Sequence, residues 1–238
     1  MIAFSTKYRS TEHEIMDDFE LSGPELAVLL NDLERVNRFL GGNKCTISGL
    51  SRLCPESDKQ MVILDLGCGD GAQLRHCVKW AKKQGRIIRG IGLDANAHII
   101  GEARKRSRDY PELEFRIFDV FSEQETLPEF DIGLCTLFLH HFQNESIISL
   151  LDRLISSARI GIIVNDLQRH RAAFLTFRLL IAPLLRSPIA RHDGAVSVAR
   201  SFTKSEMDDL ASKIHADHRL DWCWAFRWRW ILKPVNPS

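Results

Sequence analysis

The spacing of apolar positions changes along the chain, and each change marks an element. Residues 11–40 carry helical spacing, with a stripe at Leu26, Leu29, Leu30, Leu33, Val36 and Leu40 that fits a helix buried along one face. Ser22, with Pro24 just inside, begins this helix, and Gly41-Gly42-Asn43 ends it. Thr11 followed by Glu14 predicts a capping box for an earlier helix. From 60 to 166 short apolar runs alternate with helical stretches. The runs at 62–66, 87–93, 113–118, 130–135 and 159–164 read as strands, the first of them apolar up to its closing Asp65-Leu66, as a strand covered on both faces is. Helices are predicted near 72–84, 97–108 and 144–157. This alternation makes the fold α/β, a doubly wound and mostly parallel sheet.

Residues 168–200 break the alternation with an insertion containing Phe174, Phe177, Leu179, Leu180, Ile181, Leu184 and Leu185. Such a stretch suits a helical cap over a site. Thr203 and Glu206 predict a capping box that starts the last helix. The tail from Trp222 to Trp230 alternates strictly, placing its rings on one face of edge strands. We read those rings as core rather than as a ring-stacking wall. The expected organisation is an N-terminal helical lid over 1–45, the alternative being a packing element on the sheet edge, and a catalytic domain over 46–238.

Chemistry concentrates after the first strand, at Asp65-Leu66-Gly67-Cys68-Gly69-Asp70-Gly71. Glycines at every second position let a ligand approach the backbone closely, and the helical spacing that follows makes this a strand, turn and helix of the nucleotide-holding kind. A dinucleotide loop is the rival reading, since Gly67, Gly69 and Ala72 satisfy the looser G-x-G-x-x-G/A pattern. Asp65 argues against it, because a carboxylate there would face a diphosphate but suits a cationic group.

The segment resembles the cofactor loop of class I S-adenosylmethionine-dependent methyltransferases, and the resemblance extends over roughly residues 60–166. It implies a seven-stranded Rossmann-like sheet and S-adenosyl-L-methionine as cofactor. It also implies Asp65 for the methionine amino group and Gly67 with Gly69 for close backbone approach. Asp94, 23 residues past Gly71, falls where the family binds the ribose; a helix N-cap is the other reading of that residue. Asp119 and Val120 match the adenine position, and Cys68, Ala95 and Thr136 complete the expected cofactor set. The ubiquinone/menaquinone-type small-molecule branch is similar through Leu139-His140-His141-Phe142 and Arg200-Ser201-Phe202-Thr203.

On the acceptor side, His140 and His141 follow the fourth strand, where a histidine can serve as a general base near neutral pH. His140 is slightly favoured, and a capping role is the alternative. The Asn/Asp-Pro-Pro-aromatic signature of many amino-group methyltransferases is absent, because the position reads Cys135-Thr136-Leu137-Phe138. Asp166 and His170, four residues apart, are expected on one helical face, where they orient an acceptor hydroxyl or anchor the cap. Arg191-His192-Asp193-Gly194 and Arg200 form a weaker candidate of the same kind.

Bulk properties narrow the field further. Lys+Arg 32 against Asp+Glu 31 give a net charge of +1, so no basic field points to nucleic acid. The six cysteines include no C-x-x-C pair, which argues for reduced thiols in a cytoplasmic protein and implies no metal. No signal peptide is visible, and the longest apolar stretch, 172–185, is too short and interrupted for stable membrane insertion. The expected protein is a monomeric or homodimeric methyltransferase acting on a small aromatic or phenolic hydroxyl. The alternatives are an RNA or protein methyltransferase and a non-catalytic cofactor-binding scaffold.

Overall fold

In a computed structural model of the chain, which describes residues 2–55, 59–122 and 124–235, the five apolar runs form strands. They are β1 (Met61–Leu66), β2 (Ile88–Asp94), β3 (Leu113–Ile117), β4 (Phe130–Thr136) and β5 (Ala158–Leu167). All four pairings among them are parallel. An antiparallel hairpin, β6 (Ala216–Cys223) and β7 (Arg227–Pro234), completes a seven-stranded sheet of order β3-β2-β1-β4-β5-β7-β6. The chain leaves β1 toward one edge and returns at β4 on its other side. The crevice of this fold therefore lies at the carboxyl ends of β1 and β4.

Helices α3 (Ala72–Lys83), α4 (Ala97–Arg106) and α5 (Asn144–Ser157) stand within two residues of the expected bounds. One sheet face packs Ile63, Ile132, Leu134 and Ile163 against α3 residues Leu74, Cys77 and Val78. The other packs Leu64, Leu66, Ile162 and Val164 against Ile147, Leu150, Leu151 and Leu154 of α5. Helix α8 (Lys204–Ser212) starts with the predicted capping box between Thr203 and Glu206.

The N-terminal region differs from its reading at two points. Thr11 and Glu14 form no capping box; only a short 3₁₀ turn, Ile15–Asp17, follows them. Helix α1 (Gly23–Phe39) forms as read and stops just before Gly41, but a helix that the sequence did not announce follows at once. Gly41, at φ 74°, turns the chain into a further helix, α2 (Gly42–Leu53), so position 45 falls inside a helix. Gly49 of α2 lies so close to the sheet that a Cβ there would come within 2.9 Å of Ile163.

The aromatic tail forms antiparallel edge strands as expected, but only part of it is core. It folds at 224–226, where Phe226 takes φ 54°. Trp228 and Trp230 enter the core, whereas Trp222 and Trp224 are 50% and 70% exposed. The opposite face of β7 carries Arg227 and Arg229, both buried under α1 and α2 by hydrogen bonds to Asn37 and Ser48.

Residues 168–200 form α6 (Arg171–Thr176), a π-helical turn (Phe177–Ile181), a 3₁₀ turn (Ala182–Leu184) and α7 (Pro188–Arg200). Their inner residues Phe174, Phe177, Leu185 and Ile189 share an apolar cluster with Leu26, Leu29 and Leu30 of α1. The N-terminal helix and the insertion therefore build one small core above the crevice. Among the described residues, no helix is long and apolar enough to cross a membrane.

Candidate active site

The loop after β1 uses its glycines differently. A Cβ on Gly67 would meet the Phe138 ring at 2.2 Å, and one on Gly71 would meet Phe115 at 2.5 Å, so both positions are small for packing. Gly69, at φ 53°, has nothing within 4 Å of the position a Cβ would take. Its bare backbone is the part of the loop that a ligand can approach.

Asp65 closes β1 below the loop, 1% exposed, and its buried Oδ1 has no partner. Burial, aided by the charge of Asp94, pushes its pKa up to about 8. Asp94 accepts hydrogen bonds from the Gly69 N–H (3.1 Å) and the Asn96 N–H (3.0 Å). The N-cap of α4 is Asn96, not Asp94, so the carboxylate of Asp94 ties the glycine loop to β2 instead. Burial raises its pKa, partly offset by those two backbone donors.

Asp119 is exposed beside the crevice and accepts from the Phe121 N–H, while Val120 is buried. Cys68 is buried, and Ala95 and Thr136 line the same cavity. Asp70 belongs to another system, an ion-paired cluster with Arg75 and Arg106.

These residues open on a cavity of about 870 Å³, which also reaches Leu33, Val36, Phe138, Phe142, Phe177 and Phe226. Its size and mainly apolar lining are those of a small-molecule site. Leu137, a cavity residue, holds φ 54° just after β4, a conformation costly for a residue with a Cβ and frequent where function fixes the backbone.

His140 and His141 follow in a single 3₁₀ turn. His140 is 1% exposed, its Nδ1 is 2.7 Å from Asp166 Oδ1, and its backbone N–H donates to Asp166 Oδ2. Its Nε2 lies 3.3 Å from Glu14 Oε1, without the alignment of a full hydrogen bond. Burial alone would lower the His140 pKa, but Asp166 and Glu14 outweigh it and raise it to about 9.

Asp166 itself is drawn below its ordinary range: burial opposes ionisation, and the charge and hydrogen bond of His140 overcome it. Glu14 behaves likewise, with burial outweighed by His141, His140 and the Ser197 hydroxyl. The His141 ring lies tilted against that of His140, centroids 4.4 Å apart, and is the more exposed of the two, at 16%. Its Nδ1 is 3.0 Å from Asp17, and its Nε2 is 3.9 Å from Glu14 Oε1.

Two arginines clamp the turn. Arg9 donates to the carbonyls of His140 and Phe142, and Arg200 donates to those of His140 and His141. Asp193 accepts from the N–H groups of Ile15 and Met16 and so fixes the segment that delivers Glu14. Arg200 and Asp193 are thus scaffolding for the histidine turn.

The structure separates Asp166 from His170. Asp166 lies in β5, and His170 is the exposed N-cap of α6, stacked on Phe226 at 5.3 Å. They share no helical face, because β5 continues through Leu167. Residues that the sequence did not single out as site residues also complete the centre: Glu14, Asp17 and Arg9 from the N-terminal segment, and Glu125, whose carboxylate accepts from the Asp119 N–H. The only local signal for Glu14 was its mistaken reading as a helix cap.

Residues 63–161 match the family described as methyltransferase domain. The sheet order and the glycine loop after β1 agree with this match, which assigns a methyltransferase domain to those residues. A 91-residue segment is 29% identical to the non-reducing polyketide synthase Preu3 of Preussia isomera, covering 37% of this chain and 4% of that protein. The chain therefore spans only a small part of this curated relative.

The structure of the plantazolicin methyltransferase BpumL in complex with SAH is similar at a TM-score of 0.65 and 18% identity, over 92% of this chain and 93% of that one. Human N-acetylserotonin methyltransferase in complex with SAM is similar at 0.65 and 18%, over 95% and 60%. At these identities the likeness is one of fold.

Proposed function

We propose that the chain transfers a methyl group from S-adenosylmethionine to a hydroxyl of a small aromatic or phenolic acceptor. The observation that carries this reading is the buried Asp166–His140–Glu14 chain, which backs His141 at the edge of an apolar cavity next to the glycine loop. The residues present fit the cofactor. The unpartnered Asp65 Oδ1 suits an ammonium group, the bare Gly69 backbone leaves room, and Asp94 retains lone pairs for a diol. When bound, S-adenosylmethionine supplies an electrophilic methyl group on a sulfonium, so the protein's task is alignment and proton removal.

His141, the more exposed ring, meets the acceptor hydroxyl. Glu14 bridges the two imidazoles, and His140 behind it sets the cluster's proton affinity. Asp166 fixes His140 through Nδ1. A cluster whose inner histidine titrates near 9 is well matched to a phenol, whose pKa is about 10. The similarity to a polyketide synthase segment favours a second reading, in which the nucleophile is an activated carbon of a polyketide-like ring.

The test is to incubate the chain with methyl-labelled S-adenosylmethionine and a panel of phenols and polyphenols, then locate the label by mass spectrometry and NMR. A labelled O-methyl product supports the proposal. Label on carbon supports the second reading, and no transfer to any member overturns the first. Calorimetry provides an independent check, with S-adenosylhomocysteine expected to bind and NAD not. Asp94→Ala is expected to weaken S-adenosylhomocysteine binding by about 1–3 kcal/mol, the scale of a lost charge-assisted hydrogen bond and a loosened loop. Unchanged affinity would show that Asp94 serves the loop alone.

A further inference from the structure

The outer face of the insertion is built unlike the rest of the surface. Leu175, Leu179, Leu180 and Leu184 are 43%, 69%, 64% and 73% exposed, within ten residues of one another. The first three follow helical spacing on the side opposite Phe174, Phe177 and Ile181, which face the apolar core or the cavity. Between Asp166 and Asp193 the sequence holds five arginines and no acidic residue. Arg171, Arg178 and Arg186 of this set are exposed among the leucines. Arg186 also shares a surface groove with Arg35 and Arg38 of α1, three cations against Glu34 and the buried Asp32.

We propose that this face docks on an anionic lipid surface, with the leucines entering the interface and the arginines meeting lipid phosphates. The charge pattern selects this occupant. A two-fold contact with a second copy would set the same arginines against one another, whereas an anionic bilayer takes both the cations and the protruding apolar side chains. The length of the element fits a helix lying on a membrane, not one crossing it. The inner side of the same turns lines the cavity through Thr176, Phe177 and Ile181, so a single helical layer separates the cavity from the docking face. The proposal does not depend on methyl transfer.

Vesicle flotation with the full chain tests it, comparing phosphatidylcholine alone with phosphatidylcholine mixed with phosphatidylglycerol. Binding is expected only to the mixed vesicles, falling as salt is added. Arg178→Glu and Arg186→Glu are each expected to weaken it by about fivefold or more. The triple variant Leu179→Ser, Leu180→Ser, Leu184→Ser is expected to weaken it by at least about tenfold. None of these residues lines the cavity, so S-adenosylhomocysteine affinity, read by calorimetry, should stay unchanged and report an intact fold. Wild-type protein that ignores phosphatidylglycerol, or a triple variant that binds like wild type, overturns the proposal. So does full competition by inorganic phosphate, which would mark an isolated anion site. A wild-type dimer that the triple variant converts to monomer would assign the face to a second copy and overturn it too.

Discussion

Replacing His140 with glutamine is expected to lower methyl-transfer turnover by about 10²-fold or more and to change its pH dependence. His140 lies between Asp166 and Glu14, with the His141 ring against it and Arg9 and Arg200 holding the backbone carbonyls of its turn. Its raised pKa keeps the cluster charged with a proton through neutral pH. The proton-accepting form therefore grows as pH rises, and wild-type rate should climb through neutral pH and level near 9. The glutamine variant retains a donor for Asp166 but removes the titration, so that limb should move or vanish. A role confined to structure would leave the profile's shape intact, and that result would sink the assignment.

Stability supplies a second readout. Because the His140 pKa is raised on folding, its contribution is fully present below the ordinary histidine range. It is lost as pH rises through about 9. Alanine at 140 leaves Asp166 and Glu14 as buried carboxylates without their cation, at a cost of about 3–5 kcal/mol. Thermal unfolding near pH 6 should show the larger deficit and unfolding above pH 9 the smaller one. A deficit independent of pH would mean that the imidazolium is not what balances those acids.

The second large effect is expected at Asp65. In the free protein its carboxyl, with a pKa of about 8, holds a proton at neutral pH. An ammonium group placed at Oδ1 would favour the ionised form, so cofactor binding should release a proton and strengthen from pH 6 to 8. Calorimetry of S-adenosylhomocysteine in two buffers of different ionisation enthalpy measures this directly. Asp65→Asn is expected to abolish the linked proton release and to weaken binding by about 1.5–3 kcal/mol. Proton release that persists in this variant would place the titrating group elsewhere.

Where burial on both faces governs an element, the sequence was sufficient. Runs such as Ile63-Leu64 and Ile91-Gly92-Leu93, set between helical stretches, read as central strands, and the acids that end them fall at the crevice by topology. Asp65 and Asp94 could be placed for that reason. The N-terminal segment was harder, because Glu14 reaches His140 across 126 positions and nothing local records that contact. Helix α2 was hidden by Gly41-Gly42-Asn43, a sequence that ends one helix and here also begins another. The hairpin at 224–226 has no Gly, Pro, Asn or Asp to announce it, so the strict alternation put all the rings on one core face, whereas Trp222 and Trp224 stand outside. His170 was misplaced beside Asp166 because helical periodicity was assumed across a strand end.

Strand β5 carries a consequence for how this chain tolerates change. Asn165 and Asp166 are neighbours on opposite sides of the sheet. Asn165 donates to Thr46 and the Gly42 carbonyl below, while Asp166 holds His140 above. Smaller apolar residues at Ile162 or Val164, both fully buried, act on packing, in proportion to the volume they remove. Loss of one residue upstream is a different event, since it exchanges the two polar side chains across the sheet. The carboxylate would then face a helix and the amide would face the imidazole. For protein engineers and for evolution alike, conservative apolar replacements in this strand have graded effects, whereas a change in its length rearranges the site at a stroke.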